Sequence, residues 1–234
     1  MPDDAPPIDA HILDGSLMVY LLVPNGRKTF KQYFHSQILP YMQIHLQPCK
    51  RLDIVFDQYM PDSLKAASRA SHGTGIQQKV HADKNVPSYW HRFLRVDQNK
   101  TDLFAFLAKM IHDHPQPEKE IIVTIGKDVY ITPVREPLGL APCNHEEADL
   151  RVLLHAADCA RQGHLNVMIR ANDRDVFMIA IAKFQHLGLN ELWLAYGTGK
   201  HYRRIAIHSI ATQIGDTKAS ALPFFHSVTG CDTI

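Results

Sequence analysis

The chain has 234 residues, 45% of them hydrophobic and 21% charged, with a formal net charge of +1. That balance is ordinary for a globular protein with one sizeable core, and it excludes bulk charge as a source of nucleic-acid or membrane affinity. Any contact with phosphate must therefore be local.

No apolar run approaches the length of a membrane span. The opening MPDDAPPIDA is acidic and proline-rich, unlike a secretory signal, with no basic region leading into an apolar one. The four cysteines, Cys49, Cys143, Cys159 and Cys231, lie far apart and form no CxxC. They read as reduced thiols of an intracellular protein, nuclear or cytoplasmic.

In chain order, HILDGSLMVYLLV begins as a strand that ends near Asp14 and runs into apolar residues. TFKQYFHSQILPYMQIHL has helical spacing that Pro40 is expected to break. RLDIVFD is a short strand stopping at Asp57. Residues 61–99 are poor in core pattern and hold Gly73, Gly75 and Pro87, so they read as an inserted excursion from a single domain spanning 1–234. Within it, Tyr89 and Trp90 read as packing aromatics. TDLFAFLAKMIHDH is a helix with Thr101 as its cap. EIIVTIGKDVYIT reads as a hairpin about Gly126-Lys127. EEADLRVLLHAADCARQG is a helix closed by Gly163. HLNVMIR is a strand, RDVFMIAIAKFQHLG a helix and ELWLAYG a strand, and two short helices follow. Strands alternating with helices predict an α/β fold with a mostly parallel central sheet flanked by helices.

Ligands of open α/β sheets bind beyond the carboxyl ends of the strands. Asp14, Asp57, Asp173 and Asp175 all follow predicted strands, and Glu147 and Asp149 open a predicted helix. Residues two apart in extended chain point the same way, so Asp173 and Asp175 can share a site while Arg174 points elsewhere. Crowded carboxylates repel one another and take up protons. Hard divalent cations such as Mg²⁺ relieve that repulsion and bind oxygen ligands and phosphates. A pair of such ions suits the cleavage of phosphodiesters.

Five segments carry a resemblance. ILDGSLMVY, IVFDQYMPDSLKAASR, EEADLR, ANDRDVFMIA and TGCDT resemble, in order, the metal-binding segments of the flap endonuclease and XPG-type 5′ nucleases, members of the PIN-like superfamily. The match runs from residue 11 to 233. It implies a three-layer PIN-like fold and a nuclease that uses two Mg²⁺ or Mn²⁺ ions on DNA or RNA, structure-specific or directed at 5′ ends. It implies Asp14, Asp57, Glu147 and Asp149 as ligands of one ion. Asp173, Asp175 and Asp232 would hold the other, with Asp149 near both. Glu147 is selected over Glu146 by the resemblance alone. Lys65 and Arg69, in the basic stretch after Asp57, would steady the scissile phosphate, and residues 61–99 would be an arch-like gateway. The family continues into a duplex-binding helical element where this chain ends, at Ile234, so weak or single-strand-limited activity is expected. Lys200 and Arg203 are further candidates for nucleic-acid contact.

The alternatives are plainer. Asp14-Gly15 can be a turn and Asp173 a helix cap. A PIN-like scaffold that binds without cutting is the competing function. GTGK at 197–200 lacks the full phosphate-loop pattern and reads as a turn. The Cys and His of CNHEEADLRVLLHAADC are not spaced as a structural zinc site.

Overall fold

The computed structural model describes residues 5–59, 76–143, 145 and 148–229. Among them, seven strands form one sheet in the order β4-β3-β2-β1-β5-β6-β7. The strands are β1 (Ala10–Asp14), β2 (Arg51–Val55), β3 (Glu120–Ile125), β4 (Asp128–Thr132), β5 (Asn166–Arg170), β6 (Glu191–Tyr196) and β7 (Arg203–Ala206). The central five are parallel, and β4 and β7 run antiparallel at the two edges. The chain winds outward from β1 to β4, then returns to β5 on the other side of β1 and winds outward again. The reversal makes the carboxyl end of β1 a topological switch point, where α/β folds place their ligands.

Successive strand residues point to opposite faces, and two apolar layers result. On the first face Leu13, Leu52, Ile54, Ile121 and Val123 pack under α1 (Gly15–Leu21), α2 (Phe30–Tyr33), α3 (Leu39–Leu46), α4 (Trp90–Phe93) and α5 (Asp97–His112). On the second, Ile12, Val55, Val167, Ile169, Leu192 and Leu194 pack under α6 (Ala148–Arg161), α7 (Arg174–Leu187), α8 (Ile207–Ile214) and α9 (Asp216–Thr229). Each such side chain contributes roughly 1.5–3 kcal/mol by leaving water. The expected three-layer α/β architecture is present.

Four local expectations change. Pro40 does not end its helix. A π-helical turn over Phe34–Ile38 precedes it, with the Leu39 N–H reaching the Phe34 carbonyl five residues back. That wider turn joins α2 to α3 and carries the chain past the missing proline donor. Thr101 is not a cap, because α5 already starts at Asp97 and the Thr101 hydroxyl donates back to the Asp97 carbonyl. The segment before it does reach the core: Trp90 and Phe93 are buried, and the Trp90 indole donates to the Val19 carbonyl at 2.8 Å, while Tyr89 is exposed. Of the 61–99 stretch, residues 61–75 lie outside the described residues. Finally, Arg203–Ala206 forms an edge strand where none was expected.

The hairpin about Gly126-Lys127 forms as read, with Ile125 opposite Asp128 and Gly126 at φ +53°. Arg151 of α6 clamps it by donating to the carbonyls of Gly126 and Asp128, at 2.6 and 3.0 Å. Gly163 and Gly188 follow α6 and α7 at φ +84° and +74°, left-handed positions that favour glycine.

Candidate metal centre

Asp14 is the last residue of β1 and the N-cap of α1. Its Oδ1 accepts from the Ser16 and Leu17 backbone N–H groups at 2.8 and 3.0 Å. The following residue must be small: a Cβ on Gly15 would lie 2.3 Å from the Phe56 ring. The Asp-Gly pair is thus a strand-to-helix switch rather than a simple turn.

Asp57 lies two residues beyond β2 and is held by three donors. Its Oδ2 accepts from the Ser16 hydroxyl at 2.5 Å and the Tyr59 hydroxyl at 3.3 Å. Its Oδ1 accepts from the backbone N–H of Ala148, the first residue of α6, at 2.9 Å. Asp57 therefore satisfies an end of a helix 91 residues away in sequence.

Asp173 is the N-cap of α7, accepting from the Asp175 N–H at 2.7 Å. Asp175 lies in the first turn of α7 and Asp149 in the first turn of α6. One oxygen from each of Asp149, Asp173 and Asp175 lies within 4.8 Å of the others. The Asp175 Oδ1 also accepts from the His226 Nε2 of α9 at 2.9 Å.

The two groups of acids meet through Asp14. Burial pushes its carboxyl up to about 7, the Asp57 charge adds to this, and Asp173 adds further, against the opposing pull of the Leu17 and Ser16 N–H groups. Asp14, Asp57, Asp149, Asp173 and Asp175 thus share one edge, at strand carboxyl ends and helix N-termini. Their donor atoms are all carboxylate oxygens, the set that Mg²⁺ and Mn²⁺ prefer. A cation would relieve the part of the Asp14 rise that comes from the Asp57 and Asp173 charges, so these residues fit such an ion.

Of the remaining expected site residues, Lys65, Arg69, Glu147 and Asp232 lie outside the described residues. Lys200, in a short 3₁₀ turn, and Arg203, on β7, are both exposed. Ser16, Tyr59 and His226 were missed. Ser16 had a usable signal, since it follows Asp14-Gly15 at a strand exit; His226 had none.

The fold and site define an α/β protein with a carboxylate cluster at the switch point of its sheet. No protein-family model matches the chain, and no curated protein matches it. The functional reading therefore rests on the chain's own residues. Among the described residues, no helix is long and apolar enough to cross a membrane.

Proposed function

We propose that this chain is a PIN-like, flap-endonuclease-type phosphodiesterase that depends on Mg²⁺ or Mn²⁺ and cuts DNA or RNA, at 5′ ends or at branched structures. The observation that carries this reading is the crowding of five aspartates at one sheet edge, with Asp14 raised to about 7. Structural ion pairs do not crowd like charges; sites that take up a cation do. Asp14, Asp57, Glu147 and Asp149 would hold one ion, and Asp173, Asp175 and Asp232, with Asp149 nearby, a second. When bound, such ions make water more acidic and neutralise charge on a phosphodiester. Asp173, fixed by its bond to the Asp175 N–H, keeps its other oxygen free of that helix cap. Lys65 and Arg69 would steady the scissile phosphate, as the family resemblance implies. The buried free thiols of Cys49, Cys143 and Cys159 support an intracellular setting, nuclear or cytoplasmic.

A second reading has its own support. Both Asp57 oxygens already have internal donors, and His226 occupies an oxygen of Asp175. An edge satisfied in that way suits a scaffold that binds nucleic acid or protein without cutting. Cleavage of labelled flap, single-stranded and duplex substrates with and without Mn²⁺ separates the two. Asp175→Ala is expected to lower metal-dependent cleavage by on the order of 10³-fold, while oligonucleotide binding in EDTA stays unchanged or tightens slightly. Full metal-dependent activity in Asp175→Ala would remove the Asp173–Asp175 pair from the site. Absence of metal-dependent cleavage in the parent on every substrate would leave the scaffold.

A further inference from the structure

One cross-strand row of the first sheet face carries two arginines around an alanine. Arg170 of β5 is in register with Ala195 of β6, and Ala195 with Arg204 of β7. The same row continues into β1 through Leu13, the residue before Asp14. Like charges on one face repel, and the small side chain between them does nothing to screen them. Ala195 is fully buried and Arg170 is 5% exposed. Both guanidinium carbons lie 5.6 Å from the centre of the Tyr202 ring.

A buried charge ordinarily has an opposite charge beside it. Here none is found among the described residues. Arg170 donates to neutral oxygens: Asn172 Oδ1 at 3.0 Å and the carbonyls of Ala195 and Gly197 at 2.8 and 2.7 Å, and it is also hydrogen-bonded to the Tyr41 hydroxyl. Arg204 makes no hydrogen bond to a described residue, and its Nε is buried without a partner. Beneath the row, His11 and His45 face each other with Nδ1 atoms 3.3 Å apart, and the His11 Nε2 is also buried and unpartnered. Burial holds both imidazoles neutral, at about 3 and about 4, and Arg170 contributes to each. With both imidazoles neutral, the charge along the row is that of the two arginines, which favours an anion there.

The arginine row adjoins the carboxylate edge. Arg170 ends β5 three residues before Asp173, and the Asn172 Oδ1 that it bonds also accepts from the Gly197 N–H at 2.8 Å. Tyr41 of α3 lies within electrostatic reach of both Arg170 and Asp14. We propose that Arg204, with the Tyr202 ring beside it and the positive charge of buried Arg170 on the same row, binds a phosphodiester of single-stranded nucleic acid next to the one presented to the carboxylates. This assignment rests on the nucleic-acid reading above. Guanidinium groups match phosphate oxygens geometrically, and an exposed tyrosine beside them offers a ring for a base. Tyr202 is 39% exposed, enough for such a contact.

The test measures binding without chemistry. Anisotropy of a fluorescein-labelled single-stranded oligonucleotide is followed in EDTA over a range of KCl concentrations, for the parent, Arg204→Gln and Arg204→Lys. Arg204→Gln is expected to bind about 3- to 10-fold more weakly, with the slope of log K against log salt shallower by about 0.7, one phosphate contact on a single strand. Arg204→Lys is expected to keep most of the slope, which separates lost charge from lost fold. A calorimetric titration with inorganic phosphate forms the second arm. Phosphate binding that depends on Arg204, with oligonucleotide binding that does not, would assign the site to a free anion and overturn the proposal. Equal affinities and slopes in parent and Arg204→Gln overturn it too, as does a parent that binds no oligonucleotide. Because binding is read in EDTA, it is independent of chemistry: Arg204-dependent binding there, with no cleavage once Mn²⁺ is supplied, would retire the nuclease reading and leave this site standing.

Discussion

Two regions of the molecule gather carboxylates, fully buried in one and half-buried in the other, and treat them in opposite ways. On the second sheet face, Arg51 donates to both oxygens of Asp53 at 2.7 Å and lies 2.8 Å from Asp158. His155 donates through Nδ1 to Asp53 at 2.6 Å, and Arg135 bridges Glu120 and Asp158. Burial alone would raise Asp53, but Arg51 and His155 outweigh it and bring its carboxyl down to about 2. At the carboxyl edge, loss of solvent raises Asp14 and the charges of Asp57 and Asp173 add to it instead of opposing it, so its carboxyl rises to about 7. Opposite charges interleaved across strand and helix hold a fold together. Like charges collected at strand ends cap helices and accept internal hydrogen bonds, but apart from the His226 contact to Asp175 no ion pair to a described residue offsets their mutual repulsion. That contrast is what supports the edge, rather than the paired network, as the candidate site.

The largest effect expected from breaking the contrast is on stability. Arg51→Ala would leave Asp53 and Asp158 buried without their shared cation, and removal of one member of a buried pair typically costs about 3–5 kcal/mol. Asp173→Asn with Asp175→Asn, by contrast, removes repulsion and should unfold no earlier than the parent in the absence of metal. Urea denaturation of the variants checks both. A loss below about 1 kcal/mol for Arg51→Ala would mean that the network is solvated and the two regions are less different than described.

Mass action gives the next effect. A cation that binds the folded edge and not the unfolded chain stabilises by about 2.7 kcal/mol at a hundred times its Kd. The parent's Tm should rise by several degrees in millimolar Mn²⁺ or Mg²⁺, and the Asp173→Asn, Asp175→Asn variant should lose most of that rise. Arg135→Gln, a change within the paired network, should lower Tm with and without metal equally. A parent indifferent to metal would place the edge with the network, as a region already compensated from within.

Much of this contrast was legible in sequence on one side and hidden on the other. The edge could be read because strand exits are local signals: Asp14 after HIL, and Asp173 and Asp175 after VMIR, fall where apolar alternation gives way to a helix. The expected hairpin, the α6 and α7 helices and the parallel core follow from the same periodicity. The paired network could not be read, because His155 is 102 residues from Asp53 and no spacing rule joins them. For the same reason the Ala148 N–H that holds Asp57 was invisible. β7 was missed because its four residues are mostly half-exposed and open with two arginines, so they imitate a solvated basic face. Pro40 misled through a real rule, the loss of a helical N–H, which a π turn circumvents.

The smallest effect is in pH dependence, where the two regions differ in sign. Asp14 has a folded-state value of about 7 against an ordinary 3.8, so the folded protein holds a proton that the unfolded chain has lost. Its stabilising contribution is complete below about pH 4 and disappears as pH rises through 7. Asp53 is shifted down to about 2, so its contribution is present above about pH 4 and disappears as pH falls through 2. Between pH 4 and 7 the parent should therefore carry a component of stability that falls with rising pH, approaching about 1.4 kcal/mol per pH unit, the slope of a single proton. Asp14→Asn isolates it. Asparagine still caps a helix, so the Ser16 and Leu17 N–H groups keep an acceptor while the ionisation is removed. The difference between parent and variant stabilities, measured by urea denaturation at half-unit steps, should change across pH 4–7 and stay flat below it. A flat difference throughout would mean that Asp14 titrates as an ordinary carboxyl, and that the edge is solvated enough to tolerate its own charge.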